Sequence, residues 1–223
     1  MRCLFAGILV LSAVAGSIAD DKVETAAQRT RSVNNLKMIG LAMHMYHDKH
    51  GEFPTAAICD ANGKPLLSWR VALLPFLDEE KLYNEFKLNE PWDSEHNKKL
   101  LERMPKLLGP VRGKTDNPYD TFYRVFQGGG AIFDLKTAVS LAKVTDGTSN
   151  TIMAVEAGEA VPWTKPDELV FDPSKPLPKL GGLFDVGFNA LITDGSVRMI
   201  SRKVSEKTLK ALITRAGGEI TDQ

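Results

Sequence analysis

An α+β domain, with one long N-terminal helix packed on an antiparallel sheet, is predicted from three features of this 223-residue chain. Apolar residues recur at three- and four-residue steps from Val23 to Tyr46, the period of a helix with one buried stripe. Runs rich in β-branched and aromatic residues are confined to the second half of the chain. Asp194-Gly195 separates two such runs, the pattern of a tight hairpin.

Residues 1–19 read as a cleavable leader and not as part of the fold. Arg2 supplies one positive charge, residues 4–16 carry none, and Ser17-Ile18-Ala19 ends the run on small residues before Asp20-Asp21. The uncharged run is shorter than the ~20 residues a spanning helix needs, so the pattern is that of a secretory signal peptide. Residues 20–223 are then one exported domain, periplasmic or extracellular, with no stable membrane span. The first helix runs over 20–50, with Asp20 and Asp21 at the positive end of its dipole and Gly51 and Pro54 beyond its end. From Leu36 on, apolar residues surround most of the circumference, which predicts a buried second half.

The elements that follow are shorter. Asn62-Gly63 sets a turn between strands at 55–59 and 65–67. Residues 68–74 and 78–86 read as two helical pieces divided by Pro75, and Ser94 caps a helix over 95–103. Prolines and glycines across 104–118 predict a surface connection. Strands are expected at 121–126 and 151–156. Residues 161–182 hold five prolines and Trp163, so they read as a long loop. The hairpin strands are 188–193 and 196–200, and Ser205 caps a closing helix that carries Leu209, Leu212 and Ile213 on one face.

Composition removes several function classes. Lys+Arg and Asp+Glu both number 28, so the formal charge is zero, and loss of the leader makes it −1. No basic excess exists to draw nucleic acid or an anionic membrane. Hydrophobic residues at 43% are too few for a multi-span membrane protein. Cys59 is alone once Cys3 leaves with the leader, so no internal disulfide forms, and no cation beside Cys59 in sequence activates it.

Chemistry-bearing residues are sparse. His44, His47 and His50 lie three apart on the helix, but at 100° per residue His44 and His50 are about 120° apart. That leaves His44, His47 and Asp48 as the metal-binding candidates. Trp163, flanked by Pro162 and Pro166, offers a stacking surface for a sugar or peptide, with Lys165 and Asp167 beside it as partner contacts. Glu156 and the carboxylates around that loop follow no catalytic spacing. Gly128-Gly129-Gly130 leads into no phosphate loop, and Ser149 and Ser196 lack the Gly-x-Ser-x-Gly elbow. No nucleophile–base–orienter set can be assembled, so no enzyme and no cofactor is expected.

The stretch from Asn34 to His47, followed by Gly51-x-Phe53-Pro54, resembles a known family of secreted and pilin-like proteins of unknown function, abundant in planctomycete bacteria. So do Ser68-Trp69-Arg70-Val71-x-Leu73-Leu74-Pro75, Pro91-Trp92-Asp93-Ser94, Asp146-Gly147-Thr148-Ser149-Asn150-Thr151 and residues 161–166. The likeness spans about residues 29–219. That family was once labelled a solute-binding group, and its C-terminal motif is associated with prepilin-type processing. The resemblance implies a pilin-like arrangement of helix across sheet. Two features differ: charges at Asp20, Asp21, Lys22, Glu24, Arg29 and Arg31 replace the family's long apolar helix, and Phe184 stands where its motif has a His before Asp194-Gly195. Together these readings predict an exported, non-catalytic domain acting through a protein or cell-surface partner. The alternative is an extracytoplasmic protein that binds a small ligand, a sugar or a metal.

Overall fold

The computed structural model describes residues 9–113 and 115–218, with side chains from Thr25 onward. The first eight residues of the expected leader lie outside the described residues. Helix α1 (Leu9–His50) starts earlier than the expected position 20, because no proline or charge interrupts the chain before Asp20. Among the described residues, no helix is long and apolar enough to cross a membrane.

Several short elements follow the end of α1. β1 (Ala57–Cys59) and β2 (Pro65–Ser68) pair antiparallel about the Asn62-Gly63 turn, where Asp60 Oδ1 accepts the Asn62 and Lys64 amides at 2.8 and 2.9 Å. Ser68 then caps α2 (Trp69–Ala72) through its Oγ, and α3 (Glu80–Glu85) follows a 3-10 turn at Pro75. The expected helix at 95–103 is a 3-10 helix, Asn97–Arg103, whose first amide donates to Ser94 Oγ at 3.0 Å.

The main sheet has four antiparallel strands in the order β3 (Asp120–Arg124), β5 (Ile152–Pro162), β7 (Gly187–Ile192), β8 (Val197–Ser201). All six residues of β7 are buried because the sheet is covered on both faces. Leu191 joins the core beneath α1 with Leu36, Ile39 and Met43, while Phe188, Ala190 and Ile192 face a second core closed by α4 (Glu206–Ile213). Alternation along the strand therefore serves two helices. Gly40 lets α1 approach, since a Cβ there would lie 2.8 Å from Leu191 Cδ1. The hairpin forms as predicted, with Gly195 at φ +85° and the Gly195 amide donating to the Ile192 carbonyl at 2.9 Å.

Two expectations about irregular chain are corrected. β5 runs on to Pro162 because Thr121 pairs with Val161 and Asp120 with Pro162, so the long loop begins later than expected. Within it, β6 (Leu169–Val170) pairs in parallel with β4 (Phe126–Gln127) and buries Leu169 and Phe171. Residues 104–118 are not wholly a surface connection either, because Leu108 is buried in the core beneath α1.

Candidate functional site

The side chains that could carry chemistry lie where α1 meets the sheet. Ser32 on α1 donates to Glu156 Oε1 on β5. Glu156 also accepts the Asn189 amide at 2.7 Å and Asn189 Nδ2 at 3.1 Å. Tyr123 on β3 lies 3.0 Å from Ser32 Oγ and accepts from Asn35 Nδ2 at 3.2 Å. Ser32 spends its one proton on the carboxylate, so the tyrosine hydroxyl donates to the serine. Burial pushes the Tyr123 phenol up to about 12, despite stabilising bonds from Ser32 and Asn35. Burial likewise raises the Glu156 carboxyl, opposed by its hydrogen bonds from Asn189 and Ser32. Ser32 and Glu156 have no exposed surface, and neither large cleft of the domain is lined by any member of this set. The set fastens helix to sheet.

This network sets a pH dependence. A carboxyl whose pKa is raised on folding stabilises fully below its unfolded value, about 4.3 for Glu, and that contribution is lost as pH rises through the higher folded value. Glu156→Gln removes the ionisation and keeps most of the shape. Chemical denaturation from pH 4 to 8 should show wild-type stability falling relative to the variant as pH rises. A difference independent of pH would show that Glu156 ionises as freely folded as unfolded.

A second buried cluster joins the β2–α2 junction, β3 and the loop. Arg70 Nη1 donates to Glu168 Oε1 at 2.8 Å, and neither side chain has exposed surface. Arg70 also donates to the Tyr123 carbonyl at 3.0 and 2.5 Å and to Ser68 Oγ at 2.5 Å. Glu168 Oε2 accepts the Val125 amide at 2.9 Å.

The residues singled out from sequence fall into three groups. Trp163 is a core residue: it has no exposed surface, meets Phe86 edge to face at 5.8 Å, and donates Nε1–H to the Leu101 carbonyl at 3.0 Å. Its proposed role as a stacking surface is corrected, because both its ring and its N–H are consumed internally. Lys165 and Asp167 are brought together, Nζ to Oδ2 at 2.8 Å, and Arg124 holds Asp167 from below at 3.0 Å. They form a partly exposed ion pair.

The metal reading is also corrected. His44 Nε2 bonds the Thr193 carbonyl at 2.9 Å, His47 Nε2 accepts the Leu141 amide at 3.2 Å, and Asp48 Oδ1 lies 4.0 Å from His47 Nδ1. Each imidazole uses Nε2 to dock α1 onto a neighbouring turn. Among the described residues, no group of three or more His, Cys, Asp or Glu is placed to hold a metal. Cys59 is partly buried, and burial, with Asp60 adding, raises its thiol pKa, the opposite of activation.

The feature missed from sequence is on the outer face of α1. Met38, Leu41 and Met45 are 49%, 53% and 45% exposed, whereas the apolar density there had predicted burial. Their spacing of three and four residues places them on one side, and it could have shown two stripes instead of one broad core face. Lys37 and Asp48 flank this ladder and are exposed.

A family model described as "Protein of unknown function (DUF1559)" matches residues 23–182. No curated protein and no solved structure matches the chain.

Proposed function

We propose for this chain, which belongs to the DUF1559 family of proteins of unknown function, a non-catalytic role outside the cytoplasm, exercised by pairing with a second copy through the outer face of α1. The observation that carries this reading is the Met38–Leu41–Met45 ladder, half exposed on a helix whose other apolar stripe, Leu36, Ile39 and Met43, is fully buried. Charge selects the partner. In an antiparallel pairing centred midway between Leu41 and Ala42, Met38 meets Met45 of the second copy, and Lys37 lies two residues, about 3 Å along the helix, from the position opposite Asp48. The same face is thus self-complementary, as a two-fold interface requires. The non-catalytic part is supported by the sealing of Ser32, Tyr123 and Glu156, the set richest in polar chemistry, away from both clefts. Export is supported by the leader pattern of residues 1–19, and a pilin-like role by the resemblance of the helix and its Gly-x-Phe-Pro ending.

Two measurements test the proposal. Protein recovered from outside the cytoplasm should yield an N-terminal sequence starting at or near Asp20, and cytoplasmic protein retaining Met1 would refute export. Sedimentation of the recovered protein should show a concentration-dependent dimer. Leu41→Lys should shift it to monomer with little change in melting temperature, since exposed substitutions usually alter stability by about 0.5 kcal/mol or less. A wild-type protein that stays monomeric into the sub-millimolar range would overturn the pairing.

A further inference from the structure

A cleft of about 450 Å³ opens between residues 115–122, the end of β5 and the strap 179–183. Among the described residues, its charged lining is mostly acidic: Asp116, Asp120 and Glu159 beside Lys179. Its apolar lining is Phe122, Ala160 and Leu183, part of a small cluster that includes Phe184.

Asp120 is the anomaly. It is 8% exposed, yet its Oδ1 is buried with no hydrogen-bond partner. Lys179 forms no salt bridge with it. Buried acceptors are nearly always paired, and one left unpaired costs about 1–3 kcal/mol. Burial also raises the Asp120 carboxyl, with Asp116 adding to the effect. Asp120 and Phe122 lie two apart on β3, so strand alternation sets a carboxylate and an aromatic ring side by side in the cleft.

The cleft is held open by backbone and is not a chance gap. The Gly158 amide donates to the Lys179 carbonyl at 2.9 Å, and the Gly181 amide to the Glu156 carbonyl at 3.0 Å. Residue 158 must be glycine for the strap to sit so close, since a Cβ there would lie 2.9 Å from the Lys179 carbonyl oxygen. Pre-formed walls of this kind lower the ordering cost of binding.

We propose that this cleft binds a small organic cation, a primary ammonium group on an apolar body, with the ammonium donating to Asp120 Oδ1 and the body lying against Phe122, Ala160 and Leu183. A donor completes the unpaired acceptor, and the acidic majority selects a positive donor over a neutral hydroxyl. A bare metal ion fits less well, because the described carboxylates do not gather into a three-ligand set and half the lining is apolar.

Calorimetric titration of the exported protein with benzylamine, benzyl alcohol and benzoate tests this. Benzylamine should bind saturably, at least ten-fold tighter than benzyl alcohol, and benzoate should not bind. Asp120→Asn should weaken benzylamine at least ten-fold. That variant replaces a carboxylate with one unpaired oxygen by a neutral amide of the same shape, and its melting temperature reports that it folds. Glu159→Gln, at an exposed rim position, should weaken benzylamine by a smaller factor at an unchanged melting temperature. Equal binding of amine and alcohol, or wild-type affinity in a folded Asp120→Asn protein, would overturn the proposal. Because α1 pairing is on another surface, Leu41→Lys should leave benzylamine binding unaltered.

Discussion

Glu168→Ala is expected to destabilise the fold by about 3–5 kcal/mol, the usual cost of removing one partner from a buried ion pair. The variant leaves the Arg70 guanidinium without its carboxylate in a site that neither side chain shares with water. It also strips the Val125 amide of its acceptor at the point where β3 ends. The attraction itself is not the main term, because desolvation offsets it. Burial drives the Glu168 carboxyl upward even with Arg70 pulling it down. Urea denaturation of the single variant beside Arg70→Met/Glu168→Leu separates the two effects. The double variant removes both charges together and should recover most of the loss. A single variant within 1 kcal/mol of wild type would mean that water reaches Arg70 once the carboxylate is gone.

Trp163→Ala is expected to cost a similar amount, about 3–5 kcal/mol, through lost apolar burial and the cavity left behind. The ring is enclosed by the core beneath α1, with Phe86 against its face. Trp163→Phe should fall between, since it keeps most of the ring but leaves the Leu101 carbonyl short of a donor. Thermal melting of the three proteins decides the matter. Unchanged melting temperatures would return Trp163 to the role of an exposed recognition residue.

These two predictions concern neighbouring positions that looked alike in sequence: one proline-rich stretch with a tryptophan and scattered acids. Local chemistry carries no information about what lies across the sheet. Pro162 ends β5 only because Asp120 pairs with it, and Trp163 is buried because the 97–103 turn offers the Leu101 carbonyl beside it. His44 and His47 were readable as neighbours on a helix. Their hydrogen-bond partners, Thr193 and Leu141, are distant in sequence and could not be read. Phe184 is a similar case. It offers a ring to Arg29 at 5.4 Å and Arg112 at 5.9 Å, contacts made across three separate segments.

The Asn62-Gly63 and Asp194-Gly195 turns and the Ser205 cap were encoded in consecutive residues, and each formed where its local chemistry placed it. Such features depend on interactions spanning only a few positions, which a linear pattern contains in full. The pairing of Glu156 with Ser32, the orphaned Asp120 oxygen and the open face of α1 depended on chain folding. Desolvation and long-range hydrogen bonding act on whatever the fold brings together, so the same residue types become core, clasp or candidate binding group only once the helix has closed over the sheet.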